Sequence, residues 1–342
     1  MAATGTDMRG TREARRWAFS GSLVQRQGAL IALFALIAFG MIRYGENFYS
    51  SFNIWELLRN NTYYGLIALG MTFVIMTGGI DLSVGSVAAM TAVIAARLSE
   101  HGLYVATAGA VLAGVAAGLI NGTLIARFRI QPFIVTLAML LAARGMALLL
   151  SGNASVPVDF ASGFIDIGQR DIGPVPVPVA IVAISYLIGS IALNFSRFGR
   201  HVLAIGGNEE AARLAGLAVS RTIVVVYIIS GALAGLAGAI LAALAYSGPP
   251  TAALGWELSA IAAVVVGGTL LTGGVGSVGT TLVGVLLLGL LFNVLNFESG
   301  RGTFNVTVYW QNVIRGLFLL VVVILQNRLT HRQGSGSQAP GG

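Results

Sequence analysis

The sequence predicts an all-α, polytopic membrane protein with about ten transmembrane helices, some of them broken, related by an inverted repeat. Three observations lead there. Of 342 residues, 56% are hydrophobic and 10% charged, with mean hydropathy +0.84; a water-soluble domain could not bury so much apolar surface. Apolar runs close to the about 20 residues that cross about 30 Å of hydrocarbon recur along most of the chain. Its 46 glycines suit helices that approach one another closely, because small residues let transmembrane backbones touch.

Residues 1–27 are polar and basic, with Arg9, Arg12, Arg15, Arg16 and Arg26, and are expected to form a cytoplasmic tail. Gly28–Ile42 could pass for a signal-peptide core, yet no small-residue cleavage site follows promptly, so an uncleaved first span is expected to reach Tyr44. Further spans are expected at Leu57–Thr77, Leu82–Leu98, Leu103–Ala126, Pro132–Leu150, Val177–Leu193, Ile223–Tyr246, Leu258–Leu271, Val275–Phe297 and Phe304–Leu325. Leu258–Leu271 is too short to cross, and Gly78-Gly79 interrupts its region; both suggest partial or broken crossings. The transmembrane domain thus covers 28–327, and the tail 328–342, ending in GSGSQAPGG, is expected to be disordered.

Between two apolar runs lies a polar island, Ser196–Thr222. Asn208 is placed to cap a short helix, with Glu209 and Glu210 in its first turn, where the helix dipole favours anions. Ala211, Ala212, Arg213, Leu214 and Ala215 continue it, and Gly216 can stop it. An ordinary capped loop would look the same.

Arginine sets the orientation. Thirteen of the twenty basic residues fall in the N-terminal tail, the 126–131 turn, the 196–222 island and the C-terminal tail; the opposite loops hold Arg43, Arg59, Arg97, Arg170 and Arg301 together with most of the acids. The positive-inside rule therefore puts both termini and the island in the cytoplasm. Two halves echo each other: Asp81-Leu82-Ser83 and Glu257-Leu258-Ser259 each open a small-residue span, and Arg144-Gly145 recurs as Arg315-Gly316. In this topology Asp81 starts an outward-running span and Glu257 an inward-running one, so the repeat is inverted and the substrate path is expected between the halves.

Several function classes are excluded. Cysteine is absent and histidine occurs only at His101, His201 and His331, which leaves no disulfide framework, thiolate nucleophile or cysteine metal site and argues against a histidine cluster. Every basic residue is arginine; without lysine there is no Walker A loop and no Schiff base. The sequence pI near 10.2 points to lipid headgroups beside the spans rather than to nucleic acid. Gly274, Gly276 and Gly279 spell G-x-G-x-x-G, but a dinucleotide site needs a preceding strand, and membrane helices flank this one. No catalytic residue and no metal site is expected.

The candidate translocation path comprises Gly78, Gly79, Asp81, Ser83, Asn121, Glu257, Ser259, Asn293 and Arg315. A helix broken at paired glycines exposes backbone groups tolerated only inside protein or along a watery cavity, and polar side chains within spans usually face the bundle interior. For Asp81 and Glu257, simple helix capping is an equally good account. Arg144, seven residues before the Ser151-Gly152 turn, can instead extend outward to the interface. Phe73, Phe133, Tyr246 and Trp256 could stack on a ring-shaped cargo in the path, though interior packing is the commoner fate of each. Gly231-xxx-Gly235 suggests tight packing within the subunit.

Three runs, GRHVLAIGGNEEAARLAGLAVSRT (199–222), MTGGIDLSVGSVAAMTAVIAA (76–96) and ELSAIAAVVVGGTLLTGGVGSVGTTLVGVLLLGLL (257–291), resemble the permease subunits of bacterial sugar ABC importers, the ribose/xylose/galactose type. The resemblance covers roughly residues 60–325. It implies a bacterial inner-membrane subunit that pairs with a second permease copy, two cytoplasmic ATPase subunits and a periplasmic or lipoprotein sugar-binding protein. It also implies a monosaccharide or polyol-like cargo, and no cofactor on this chain, since ATP and Mg belong to the ATPase. Asn208–Gly216 would then be the ATPase-coupling helix. Nucleoside or branched-chain amino-acid ABC permeases are the nearest alternatives. A proton-coupled secondary transporter using Asp81 or Glu257 is the rival of another class, and has no need of a coupling helix.

Overall fold

The computed structural model describes residues 28–300 and isolated positions between 310 and 324. The two terminal tails, Arg301, Arg315 and most of the expected span Phe304–Leu325 lie outside the described residues.

The described chain is helical, as expected. In order come α1 (Gly28–Tyr44), α2 (Glu46–Tyr49), α3 (Ser51–Asn60), α4 (Thr62–Met76), α5 (Val84–Leu98), α6 (Leu103–Phe128), α7 (Pro132–Ser151), α8 (Asp166–Gln169), α9 (Val177–Phe195), α10 (Arg197–Gly207), α11 (Glu209–Leu214), α12 (Val219–Leu244), α13 (Trp256–Val266) and α14 (Val278–Gly300). Among the described residues, strand structure is confined to four two-residue pieces. β1 (Val156–Pro157) pairs antiparallel with β4 (Ser247–Gly248), and β2 (Asp171–Ile172) with β3 (Val175–Pro176).

Helices α6, α7, α9, α12 and α14 are long and apolar enough to cross a membrane unaided. The others depart from single uninterrupted crossings. The expected Leu57–Thr77 span is divided at Asn61, where α3 ends and α4 begins. Helix α13 has 11 residues, which at 1.5 Å per residue cover about 16 Å, roughly half the hydrocarbon.

At the centre stands α12. Gly114, Gly118 and Gly122 form one face of α6, four residues apart. A side chain at Gly118 would overlap the Tyr227 carbonyl, one at Gly122 would sit 2.8 Å from the Val224 Cα, and one at Gly114 would overlap Gly231. Gly231-xxx-Gly235 therefore packs inside the subunit, against α6, as expected. Gly238 of α12 leaves room for Thr91 and Ala88 of α5. Close backbone approach of this kind supplies the van der Waals contact that holds helices together where lipid is as apolar as leucine. Further ties are polar: the Thr72 and Thr281 hydroxyls meet at 2.9 Å between α4 and α14, and Tyr186 of α9 donates to the Gly65 carbonyl of α4 at 3.0 Å. Exposed Leu141, Leu149, Ile184, Leu187 and Ile188 line the outer faces of α7 and α9, where lipid tails are their natural cover.

Helix directions follow from which ends meet. Met76, at the end of α4, lies against Gly206 at the end of α10 and bonds Gly274, just before α14. Thus α4 and α13 run toward the 196–222 island, and α5 and α14 run away from it. The helices opened by the two acid-Leu-Ser triplets run in opposite directions, and their N-termini meet: Gly85 of α5 packs beside the Ala253 carbonyl and the Glu257 carboxylate.

Candidate functional site

The break between α4 and α5 begins at Gly78, whose φ of 81° is a left-handed conformation that glycine adopts without steric cost. The chain then turns so that Asp81, 2% exposed, accepts from the Ser83 backbone N–H (3.0 Å) and hydroxyl (2.6 Å). Its second oxygen accepts from Ser230 of α12 at 2.9 Å. Asn121 of α6 donates to the Ser83 hydroxyl at 3.0 Å. Asp81 thus closes the turn before α5 rather than capping the helix itself, whose N-cap is Ser83, and it joins three helices in a buried network. The Oδ1 of Asn121 has no partner among the described residues, so the network holds one unused acceptor there.

Glu257 opens α13 in a different way. Its carboxylate lies beside Gly85 of α5, with the Arg144 charge close enough to act on it. Arg144 does not extend outward. Its guanidinium donates to the carbonyls of Pro250 (2.6 Å) and Ala252 (2.8 Å), tying α7 to the α12–α13 connection. Beside it the Trp256 ring stacks on Tyr63, centroids 4.4 Å apart and 7° from parallel, and Tyr64 packs against it at 4.8 Å.

The remaining path candidates are dispersed. Ser259, 5% exposed, donates to the Gly255 carbonyl at 3.1 Å. Asn293 forms a reciprocal amide pair with Asn53 of α3, at 2.9 and 3.4 Å. The structure therefore gathers Gly78, Gly79, Asp81, Ser83 and Asn121 around the α4–α5 break, sets Glu257 against Gly85 just past it with Ser259 further along α13, and leaves Asn293 apart. Among the candidate aromatics, Phe73 is buried against Phe198 and Phe133 faces outward. Tyr246 stacks on Phe160.

The polar island holds two helices where one was expected. Ser196 caps α10 by accepting from the Gly199 N–H at 3.2 Å, and Asn208 caps α11 by accepting from the Ala211 N–H at 2.9 Å. Gly216, φ 79°, ends α11 in a left-handed turn closed by the Leu217 N–H on the Ala212 carbonyl (3.1 Å). Glu209 and Arg213 pair at 2.6 Å along it. Leu214 is 84% exposed, while Ala212 is 5% exposed and packs into the body with Val219 and Ile223. Ala212 thus does not share the outward face of its neighbours.

A cleft of about 380 Å³ joins island to break. It lies between Gly79, the Arg129–Gln131 turn, Glu209 and Arg213 of α11, and Tyr227 of α12. Its volume falls in the range of small-molecule sites, about 300–1,000 Å³. The Tyr227 phenol, 1% exposed, has no hydrogen-bond partner among the described residues and is aimed at Gly79. Sequence reasoning missed Tyr227, Ser230 and α10. The signal for the first two was faint: a tyrosine and a serine three residues apart, hence on one face of an otherwise apolar helix.

The family model described as branched-chain amino acid transport system / permease component matches residues 53–323. The chain is 40% identical to the ribose import permease protein of Escherichia coli K12 over 93% of its length and 98% of the relative's. It is 39% identical to the ribose import permease protein of Bacillus subtilis, over 92% of this chain and 97% of that one. The L-arabinose ABC transporter permease protein of Azospirillum brasilense is 38% identical over 88% of this chain and 87% of its own. No solved structure matches.

Proposed function

The chain belongs to the family of branched-chain amino acid transport system permease components, and from that premise we propose that it is the membrane-spanning subunit of an ATP-binding-cassette importer for a monosaccharide. The ribose and arabinose named for its relatives favour a pentose over the amino acids in the family description. The chain supplies no covalent chemistry. Separate ATPase subunits hydrolyse ATP, a second permease copy completes the path, and an external sugar-binding protein delivers the cargo. The arginine bias supports an inner-membrane placement with both termini and the 196–222 island in the cytoplasm.

The observation that carries this reading is α11. A capped helix holds Leu214 out into solvent at 84% exposure on an otherwise polar loop, at the end of the bundle where both broken crossings meet. A proton-coupled carrier has no use for such a helix; an ATPase cleft does. Asn208, Glu209, Glu210, Ala211, Arg213, Leu214, Ala215 and Gly216 form the docking surface, with Ala212 as its inner support. Alternate exposure of the path to either side then follows ATP-driven closure of the ATPase pair.

Reconstitution with the candidate ATPase and sugar-binding protein tests this. ATP-dependent uptake of radiolabelled ribose or arabinose, exceeding that of leucine or a nucleoside, is expected. Leu214→Glu should weaken ATPase binding about 10- to 100-fold, the cost of one apolar anchor worth about 1.5–3 kcal/mol, with insertion unchanged. Sugar accumulation by this chain alone on a proton gradient would overturn the proposal.

A further inference from the structure

Three backbones touch at the end of α10. A side chain at Gly206 would overlap the Met76 carbonyl and the Gly274 amide nitrogen. One at Gly273 would reach 2.8 Å from the Gly78 nitrogen and 3.0 Å from the Gly206 Cα. One at Gly274 would reach 2.9 Å from both the Cα and the nitrogen of Gly207. The Gly274 N–H donates to the Met76 carbonyl at 3.0 Å. Gly78, Gly273 and Gly274 all adopt positive φ, between 75° and 83°. The first helix break, the second helix break and the C-terminus of α10 thus meet with no side chain between them.

Such a contact differs mechanically from ordinary helix packing. Side chains between elements can change rotamer and absorb a small displacement, whereas interlocked backbones cannot. Helix α10 is held to the body by buried Val202 and Ile205 and passes directly into α11. Any displacement of α11 therefore bears on the α4–α5 and α13–α14 breaks together.

We propose that this glycine joint carries the movement of the island into both halves of the permease at once, with Gly206 as the positioning residue that lets α10 seat against both breaks. The proposal rests on the importer reading above, in which an ATPase moves α11. It assigns force transmission to α10 and its glycines, where the sequence had pointed only to 208–216.

Neighbouring glycines provide the test. Among the described residues a side chain at Gly207 meets nothing within 4 Å, so Gly207→Ala is the control. In the full complex with ATPase and sugar-binding protein, Gly207→Ala should transport within about twofold of wild type. Gly206→Ala should still bind the ATPase and hydrolyse ATP, but its sugar uptake per ATP should fall at least tenfold. Normal stoichiometry in Gly206→Ala, or the same loss in Gly207→Ala, overturns the joint. A second measurement avoids dependence on the Gly206 variant folding. Gly207→Cys, the sole thiol in the chain, should react with a water-soluble maleimide at rates differing at least threefold between nucleotide-free and vanadate-trapped complexes; an unchanged rate also overturns it. A wild-type chain that neither binds the ATPase nor imports sugar overturns the importer reading, and the joint with it, before any variant is compared.

Discussion

Removing the Ser230 hydroxyl isolates one bond of the Asp81 network. Ser230 is 1% exposed and donates to the Asp81 carboxylate at 2.9 Å. No other bond reaches that carboxylate oxygen among the described residues, whereas the other oxygen keeps both donors of Ser83. Ser230→Ala deletes a single atom, so the lost hydrogen bond outweighs any cavity. Leaving a buried acceptor without its donor costs about 1–3 kcal/mol. We expect destabilisation near 2 kcal/mol, roughly a 30-fold change in the unfolding constant. Equilibrium unfolding in mixed micelles titrated with SDS would measure it. Ser185→Ala, whose hydroxyl bonds only the Ile181 carbonyl of its own helix, should change stability by less than about 0.5 kcal/mol. The decisive measurement is the double-mutant cycle with Asp81→Ala. If the bond couples α12 to the helix break, the two losses will be non-additive by at least about 1 kcal/mol. Additivity within about 0.5 kcal/mol would refute the network as an energetic unit.

Other expectations follow from contacts of the same kind. Gly118→Ala should destabilise by about 1–3 kcal/mol through overpacking against the Tyr227 carbonyl, while Gly145→Ala, with nothing within 4 Å, should be neutral or stabilising by up to about 1 kcal/mol; equal effects in the same unfolding assay would contradict the α6–α12 seam. Arg144→Gln removes the donors to Pro250 and Ala252, so amide hydrogen exchange across residues 247–255 should quicken, and unchanged protection would deny Arg144 its tying role. Topology is better probed at Gly207 than at Gly206, since only Gly207 has room for a new side chain. Gly207→Cys should resist an impermeant thiol reagent in intact cells and react in inverted vesicles; labelling in intact cells would reverse the assigned orientation.

The sequence by itself determined what local signals can encode. Apolar run lengths located the long helices α6, α7, α9, α12 and α14, and the α11 cap was legible because an asparagine reaches an amide only three residues ahead. The shortness of Leu258–Leu271 foretold a partial crossing. Tertiary structure decided which polar groups meet: Asp81 finds Ser230 at a separation of 149 residues, and Asn53 finds Asn293 at 240. It also turned Ala212 inward, drew Arg144 onto two carbonyls, and made a joint of glycines that read as simple helix breakers. The reason is physical. In water, the boundary between an apolar and a polar face shows how a helix is rotated, but helices such as α12 and α14 carry apolar residues all round and only scattered polar ones. Their rotation is chosen by backbone fit between small residues, and that fit exists only once both partners are in place.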